Sequence, residues 1–243
     1  MIEHTSLPRL APKVILGVVA HPDDLDFGMG GSIAKWVREG AQAYCLVLTD
    51  GSKGSEDPDI SPDMLRSLRR REQQEAAKRL GVAKVFFGTY IDGELQASQE
   101  VKRDIVRLIR QLKPDVVITF DPTMVYGSKR GFINHPDHRA AGWATLDAVY
   151  PLARNRPSFP ELLHDEKLEP HTVPTLLMHN LDQPDYFVDI SQDMETKIGG
   201  LAAHVSQFGD AAGIVDIART LARSYGPKVG AEYAEGFVRV DIQ

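Results

Sequence analysis

Two short clusters of histidine and aspartate carry the side chains that could do chemistry in this chain. The first, His21-Pro22-Asp23-Asp24, follows an apolar run rich in β-branched residues, and the second, His135-Pro136-Asp137-His138, lies far downstream. Imidazole nitrogens with a carboxylate form the mixed ligand set of catalytic zinc sites, which keep one position open for water. A single His-Pro-Asp is more often a turn whose aspartate caps a helix. Because there are two copies, and one follows a run typical of a buried strand, we favour a metal site.

The residues of the two clusters divide into metal ligands and one free carboxylate. We expect His21 and Asp24 to bind the metal together with one histidine of the second cluster, either His138 or His135. Asp23 cannot easily chelate the same ion from the same turn, so it is the natural general base for an attacking water. Zn²⁺ is the best single assignment, although the spacing also allows Fe²⁺, Mn²⁺ or Co²⁺.

A glycine-rich stretch after the first cluster invites a different interpretation, a dinucleotide-binding turn. Residues 28–31 hold three glycines, and Asp50 follows at about the distance of a ribose-binding acid. The fingerprint lacks its third glycine at the required spacing, however. Asp23, Asp24 and Asp26 would also place negative charge beside a pyrophosphate. We therefore favour metal chemistry over dinucleotide binding.

Strand-like apolar runs and helical periodicities alternate along the first two thirds of the chain. The sequence predicts strands over residues 14–20, 43–48, 84–88 and 115–120. It predicts helices that begin at Ser32 after a sharp glycine turn, run from Pro62 to Leu80 between Ser61 and Gly81, and cover 101–112 and roughly 138–150. This alternation predicts an α/β fold with a Rossmann-like, mostly parallel, doubly wound sheet that has helices on both faces.

The last third has weaker patterns and is expected to be less regular. Residues 151–174 look like a surface excursion, and the later segments suggest strands at 176–178, 186–190 and 237–240 and helices at 193–207 and 213–225. We expect one domain over residues 1–243, with a Rossmann-like core of about 13–150 and a C-terminal lobe of about 151–243. The loops 49–62 and 123–134 should line the cleft, because both follow strand ends.

Composition limits the partners that the chain can have. The 243 residues carry a net charge of −6, which gives no reason to expect nucleic acid or an anionic membrane as a partner. Cys45 is the one cysteine, so no intrachain disulfide can form, which suits the cytoplasm. No apolar run approaches a membrane span. We expect a cytoplasmic enzyme, allow a homo-oligomer, and expect the histidines without paired spacing to be surface or structural: His4, His164, His171, His179 and His204.

These motifs resemble a known family. Ala20-His21-Pro22-Asp23-Asp24, Gly28-Met29-Gly30-Gly31 and His135-Pro136-Asp137-His138 look like the PIG-L/LmbE-like family of zinc-dependent N-deacetylases. The resemblance extends over most of the chain through Leu48-Thr49-Asp50-Gly51, Tyr90-Ile91-Asp92-Gly93 and Tyr233-Ala234-Glu235-Gly236-Phe237. It implies removal of an acetyl group from an N-acetylglucosamine-type amino sugar or its conjugate.

The resemblance also implies roles for individual residues. It assigns His138 to the metal and leaves His135 to face the substrate, where we expect an imidazolium that stabilises the oxyanion. The alternative for His135 is a capping or supporting residue. Arg69 and Asp92 match positions that contact the sugar or support the site, although taken alone they look like a surface ion pair and a turn. We expect Asp137 to orient a metal-binding histidine by contacting it without binding the metal itself.

Two other functions remain open at this point. A zinc-dependent hydratase that adds water to a small unsaturated carboxylic acid would use the same kind of site. A non-catalytic metal-binding or sugar-binding protein is less favoured, because metal binding alone does not need the carboxylate of Asp23.

Overall fold

The centre of the molecule is a seven-stranded sheet. The computed structural model describes residues 7–127 and 131–243. The sheet strands are β1 (Val14–Val19), β2 (Gln42–Thr49), β3 (Lys84–Tyr90), β4 (Val116–Phe120), β7 (Thr175–His179), β8 (Tyr186–Asp189) and β9 (Ala234–Asp241), and β5 (Tyr126–Gly127) and β6 (Phe132–Ile133) form a separate hairpin. The spatial order is β3-β2-β1-β4-β7-β9-β8, and β9 is antiparallel to both of its neighbours. The chain therefore leaves β1 toward β2 and β3, and then returns to build the other half from β4.

Helices connect the strands. They are α1 (Asp24–Arg38), α2 (Pro62–Leu80), α3 (Gln99–Leu112), α4 (Pro136–Asp147), α5 (Pro160–His164), α6 (Met194–Leu201), α7 (Val205–Phe208) and α8 (Ala212–Tyr225). A π-helical turn follows α4 at Ala148–Leu152, and a 3₁₀ turn follows α8 at Gly226–Lys228. The predicted fold class, a Rossmann-like α/β sheet with a less regular last third, is confirmed.

Burial on both faces explains why the central strands read as continuous apolar runs. In β1, Ile15, Leu16 and Val18 are completely buried, and every residue of β4 is buried. Strands covered by helices on both sides need apolar side chains in both directions. Burying each such side chain contributes roughly 1.5–3 kcal/mol.

Helix α2 shows how far local signals alone determine an element. The Ser61 hydroxyl accepts the backbone N–H of Met64 at 3.3 Å, and Pro62 occupies the first turn. Gly81 ends the helix with φ of 76°, a conformation that glycine adopts without steric cost. Both predicted ends of this helix are confirmed.

The predicted glycine turn before Ser32 is wrong, because α1 begins at Asp24 and continues through the glycines. Two side chains from the last third of the chain contact the backbone in the middle of this helix. The Glu235 carboxylate accepts the N–H groups of Gly31 and Ser32 at 2.9 and 2.7 Å. The ammonium of Lys197 donates to the carbonyl of Phe27 and pairs with Glu235. A glycine is needed at position 31 for close packing, since a Cβ there would lie 2.6 Å from Ile190.

The last third joins the same sheet through three strands, β7, β8 and β9. The expectation that residues 151–174 are a surface excursion is wrong in part, because Leu162 and Val173 are buried. Arg110, itself buried, holds this segment by donating to four backbone carbonyls, those of Leu152, Ala153, Asn155 and Ser158. Among the described residues, no helix is both long and apolar enough to cross a membrane.

Candidate active site

A cavity of about 430 Å³ opens where the chain order reverses, at the carboxyl ends of β1 and β4. In an open α/β sheet this is the place where ligands bind. The cavity is lined by His21, Asp23, Asp24, Phe27, Lys53, Gly54, Arg69, Asp92, Gly93, His135, His138, Gln207, Phe208 and Ile214. The two predicted clusters therefore meet in one cavity, because one follows β1 and the other begins α4, which packs beside β4.

Three side chains converge as the sequence predicted for metal ligands. Asp24 lies between two imidazoles, with one oxygen 3.0 Å from His138 Nε2 and the other 3.4 Å from His21 Nδ1. One ligand atom from each residue can be chosen so that all lie within 4.8 Å of one another. Two nitrogens and a carboxylate oxygen at this spacing suit a four-coordinate metal with one open position.

The second nitrogen of each ring is held by a partner outside this triplet. His138 Nδ1 lies 3.1 Å from the side-chain oxygen of Asn134, and its ring stacks on Phe120 at 4.2 Å. His21 Nε2 lies 3.2 Å from both Asp92 and Asp137. Such contacts fix the ring orientation and the tautomer of metal-binding histidines.

The charge around His21 provides a test of whether a cation fits. Burial alone would lower the pKa of His21, but hydrogen bonds to Asp137, Asp24 and Asp92 raise it to about 12. The three carboxylates around His21 therefore favour a positive charge at this place. A divalent ion placed between His21, Asp24 and His138 would be attracted by the same carboxylates. The donor atoms and the charge around them therefore fit a metal.

A second group, His21, Asp92 and His135, also has ligand atoms within 4.8 Å. Its Asp92 faces Nε2 of His21, the nitrogen that Asp137 also contacts at 3.2 Å. Both carboxylates therefore orient His21 from the side opposite Asp24. This geometry favours His138 over His135 as the third ligand.

Asp23 lies beside the candidate ligands in an unusual backbone conformation, with φ of 96° and ψ of −28°. Its carboxylate accepts a hydrogen bond from Arg69 Nη2 at 3.1 Å. Burial and the neighbouring charge of Asp24 raise the pKa of Asp23 to about 6, although the charge of Arg69 opposes this rise. A carboxylate with such a pKa can both accept and return a proton near neutral pH.

His135 has two roles in one ring. It is the residue that precedes α4, and its Nδ1 accepts the backbone N–H of Asp137 at 3.2 Å. The ring also lines the cavity, with its centroid 4.7 Å from that of His21. The capping role occupies Nδ1 and leaves Nε2 without a role in the cap, so His135 can both cap α4 and line the cavity.

Arg69 and Asp92 are more deeply embedded than sugar-binding residues alone would need to be. Arg69 is 3% exposed and donates to the backbone carbonyls of Gly51 and Pro22 as well as to Asp23. Asp92 faces His21 with one oxygen and accepts the N–H of Lys53 with the other. Both still line the cavity.

Asp137 connects the second cluster to the loop after β3. Its carboxylate contacts His21 Nε2 and also accepts the N–H groups of Gly93 and Leu95, at 2.7 and 3.2 Å. The side chain is almost fully buried.

Sequence reasoning missed several residues that support the site. Gln73, Asp26 and His204 are completely buried close behind Asp23, and no local pattern links them. Asp26 gave no signal of its own, because an acidic residue in the first turn of a helix is common. His179 is also buried, and His4 lies outside the described residues.

The loops contribute unequally to the cavity. Lys53 and Gly54 come from the predicted loop 49–62. Residues 128–130 of the other predicted loop are outside the described part of the chain, and none of the described residues 123–127 and 131–134 lines the cavity. Gln207, Phe208 and Ile214 supply a wall from the last third that the sequence did not predict.

Comparison with known proteins places this fold and site in a family. The model of the PIG-L family, described as GlcNAc-PI de-N-acetylase, matches residues 16–149, more than half of the chain. The chain therefore belongs to the PIG-L family of N-deacetylases. Enzymes of this family are generally metal-dependent, in keeping with the His-Asp-His group.

Individual relatives agree with this assignment. A diacetylchitobiose deacetylase of Thermococcus kodakarensis is 36% identical over 226 residues, which cover 92% of this chain and 82% of that protein. The structure of an N,N'-diacetylchitobiose deacetylase from Pyrococcus horikoshii, complexed with an inhibitor, superposes with a TM-score of 0.86 at 34% identity, over 95% of this chain and 84% of that one. The 4-carboxy-2-hydroxymuconate hydratase GalB of Pseudomonas putida has a TM-score of 0.79 at 20% identity, over 95% and 97% of the two chains, and shares the fold.

Proposed function

We propose that this chain is a metal-dependent N-deacetylase that removes the acetyl group from an N-acetylglucosamine-type residue of a small sugar conjugate. The observation that carries the proposal is Asp23, a carboxylate with a raised pKa that lies beside the candidate ligands in the cavity shared with His135. The family description and the names of two relatives support an N-acetylated glucosamine as the substrate. The cavity suits a small soluble sugar, and we infer a cytoplasmic enzyme.

His21, Asp24 and His138 would hold the metal, and Zn²⁺ is the ion that best suits two imidazoles with one carboxylate. The bound ion would act as a Lewis acid that polarises the amide carbonyl and makes water more acidic. The protein keeps these ligands in place through Asn134 on one side and through Asp92 and Asp137 on the other.

Asp23 would move the proton. It takes a proton from the water whose oxygen forms the new bond to the acetyl carbon. It then returns that proton to the sugar nitrogen as the carbon–nitrogen bond breaks, so that acetate and a free amine are released. The hydrogen bond from Arg69 orients the carboxylate throughout these steps.

His135 would stabilise the negative charge on the carbonyl oxygen. Its Nδ1 already accepts the N–H of Asp137, so in the neutral ring the proton is on Nε2. An N–H that points into the cavity can donate to the oxyanion in the transition state, where such bonds contribute most.

The direct test is a comparison of acetyl sugars with metal present and removed. Chelated protein is reloaded with Zn²⁺, Fe²⁺, Mn²⁺ or Co²⁺ and incubated with N,N'-diacetylchitobiose and N-acetylglucosamine, and both acetate and free amine are measured. We expect equal amounts of the two products, and release only after reloading. No release with any of these ions would contradict the proposal.

Asp23→Asn is the matched variant, because it keeps the shape of the side chain and removes its basicity. We expect it to retain the metal and to lose about 10²- to 10⁴-fold in kcat, the usual contribution of general base catalysis. Near-normal turnover with full metal occupancy would assign the base elsewhere. Including a small unsaturated dicarboxylic acid in the same assay tests the hydratase alternative, which predicts hydration without amide cleavage.

A further inference from the structure

The backbone of Asp23 is held in place by a side chain from another helix. Its φ of 96° is uncommon for a residue other than glycine, so neighbouring groups must stabilise this conformation. The N–H of Asp23 points to Gln73 on α2 and donates to Oε1 at 2.8 Å. Gln73 is completely buried.

Gln73 is itself oriented by a carboxylate. Its Nε2 donates to Asp26 Oδ2 at 2.9 Å. An ionised carboxylate can only accept, so the amide nitrogen must face Asp26 and the amide oxygen must face Asp23. The Asp26 charge therefore determines which end of Gln73 meets the general base.

His204 completes the chain of contacts from the last third of the molecule. Its Nε2 lies 3.0 Å from the same oxygen of Asp26, and both residues are completely buried. Burial alone would lower the pKa of His204, but the hydrogen bond to Asp26 and its charge raise it above its ordinary value. A ring nitrogen that faces a carboxylate carries a proton, so Nε2 of His204 donates to Asp26.

We propose that His204 and Asp26 are positioning residues for the general base, acting through Gln73 on the backbone of Asp23. In the part of the chain that the structure describes, neither residue lines the cavity and neither belongs to a group of candidate metal ligands. The proposal rests on the proposed role of Asp23 as base. The proposal gives a role to Gln73, Asp26 and His204, three buried polar residues whose burial costs free energy.

The competing explanation is that His204 merely anchors the segment 204–208, which supplies Gln207 and Phe208 to the cavity wall. A separate bond allows the two to be distinguished. Ser206 Oγ donates to Glu72 at 2.6 Å and anchors the same segment without touching Gln73 or Asp26. Ser206→Ala removes this hydroxyl bond, keeps the bond from the Ser206 backbone N–H to Glu72 at 2.8 Å, and leaves the contacts behind Asp23 intact. It therefore weakens the anchor of the segment.

The test compares His204→Leu, His204→Gln and Ser206→Ala in the metal-loaded protein. Glutamine can place an amide nitrogen where Nε2 of histidine lies, so it restores the donor but not the positive charge. We expect His204→Leu to lower kcat by about 10- to 100-fold, the usual effect of groups that orient a site. KM and metal content should stay near those of the wild type, and His204→Gln and Ser206→Ala should keep most of kcat.

Other outcomes would overturn the proposal. If His204→Gln were as slow as His204→Leu, the charge and not the hydrogen bond would matter. If Ser206→Ala were as slow, anchoring of the segment would explain the loss. An unchanged kcat in His204→Leu would remove the positioning role altogether.

Gln73→Met is the second variant, in case His204→Leu does not fold, because it removes the acceptor for the Asp23 N–H at similar volume. We expect the same loss of kcat, and a crystal structure in which Asp23 leaves its positive φ. Asp23 unmoved in that structure would overturn the proposal even if the protein proved not to be a deacetylase. Absence of acetate release by the wild type, by contrast, would count against the proposed function.

Discussion

The two histidines of the second cluster differ in which ring nitrogen is free. His138 turns Nε2 toward Asp24, whereas His135 uses Nδ1 for the start of its own helix. The metal prediction follows from this difference. His138→Ala should lose the metal ion, because a site without one of its ligands binds far more weakly. His135→Ala should keep the ion, because all three candidate ligands remain.

Metal content per chain after gel filtration checks this pair, and His21→Ala serves as a second ligand variant. We expect about one ion per chain in the wild type and in His135→Ala. If His135→Ala lost its ion while His138→Ala retained it, the second group of candidate ligands would be the correct one.

The protonation state of His135 leads to a prediction about pH. The sequence suggested an imidazolium, but Nδ1 accepts an N–H in the structure, and a proton there would destroy that bond. Burial and the charges of His21 and His138 also lower the pKa of His135. His135 should therefore act as a neutral donor, active above its pKa and lost as the pH falls through it.

We expect the basic limb of the kcat/KM profile to be the same in wild type and in His135→Gln, with the variant slower throughout. In the wild type, both Asp23 and His135 must be deprotonated for activity. The acidic limb should therefore become shallower in the variant, which lacks the second of these groups. A basic limb that disappears in His135→Gln would restore the imidazolium interpretation.

Among the elements, α1 is the one whose form depends most on distant residues. Its glycines at 30 and 31 are adjacent but differ in surroundings: a Cβ at Gly30 would meet atoms at 3.5 Å or more, and one at Gly31 would lie 2.6 Å from Ile190. Isoleucine is branched at Cβ and moves little. The two positions therefore form a matched pair for mutation.

Gly31→Ala should lower the free energy of unfolding by about 1–3 kcal/mol, the usual cost of overpacking. Gly30→Ala should leave it unchanged or raise it by up to about 1 kcal/mol, because alanine favours a helix over glycine. Urea unfolding of both variants checks this. Equal stability of the two would mean that Ile190 can move aside.

The same helix shows where sequence reasoning stops. The ends of α2 were predictable because Ser61, Pro62 and Gly81 act within a few residues of themselves. The interior of α1 was not, since Glu235 is more than 200 residues away from the N–H groups that it accepts. The candidate ligands could be proposed from the sequence because histidine and aspartate follow a recognisable strand, while Gln73 and His204 meet Asp26 only in the folded molecule.

For the whole molecule, a buried histidine makes the stability depend on pH. His179 ends β7 and packs against Gly28, and burial together with the charges of Lys197 and His138 lowers its pKa to about 3. In the unfolded chain its pKa is about 6.5. Below about pH 6.5 the unfolded state thus binds a proton that the folded state does not bind. The free energy of unfolding therefore falls as the pH drops below about 6.5.

His179→Gln removes this titration and keeps a side-chain amide that can donate as the ring does. Urea unfolding of the metal-free wild type and variant, at about pH 7.5 and about pH 5, isolates the effect of the one residue. We expect the wild type to lose up to about 1.4 kcal/mol per pH unit more than the variant. Equal losses would mean that His179 is protonated in the fold.

The bond from Glu235 to the middle of α1 has a consequence for the order of events during synthesis. The first helix and the aspartates at its start leave the ribosome early, but the carboxylate that satisfies Gly31 and Ser32 lies on β9, the last strand of the sheet. We therefore expect the turn that carries His21 and Asp24 to reach its final conformation only after nearly the whole polypeptide has been made. Nascent chains arrested before residue 235 should bind zinc weakly, however much of the parallel sheet they have already formed.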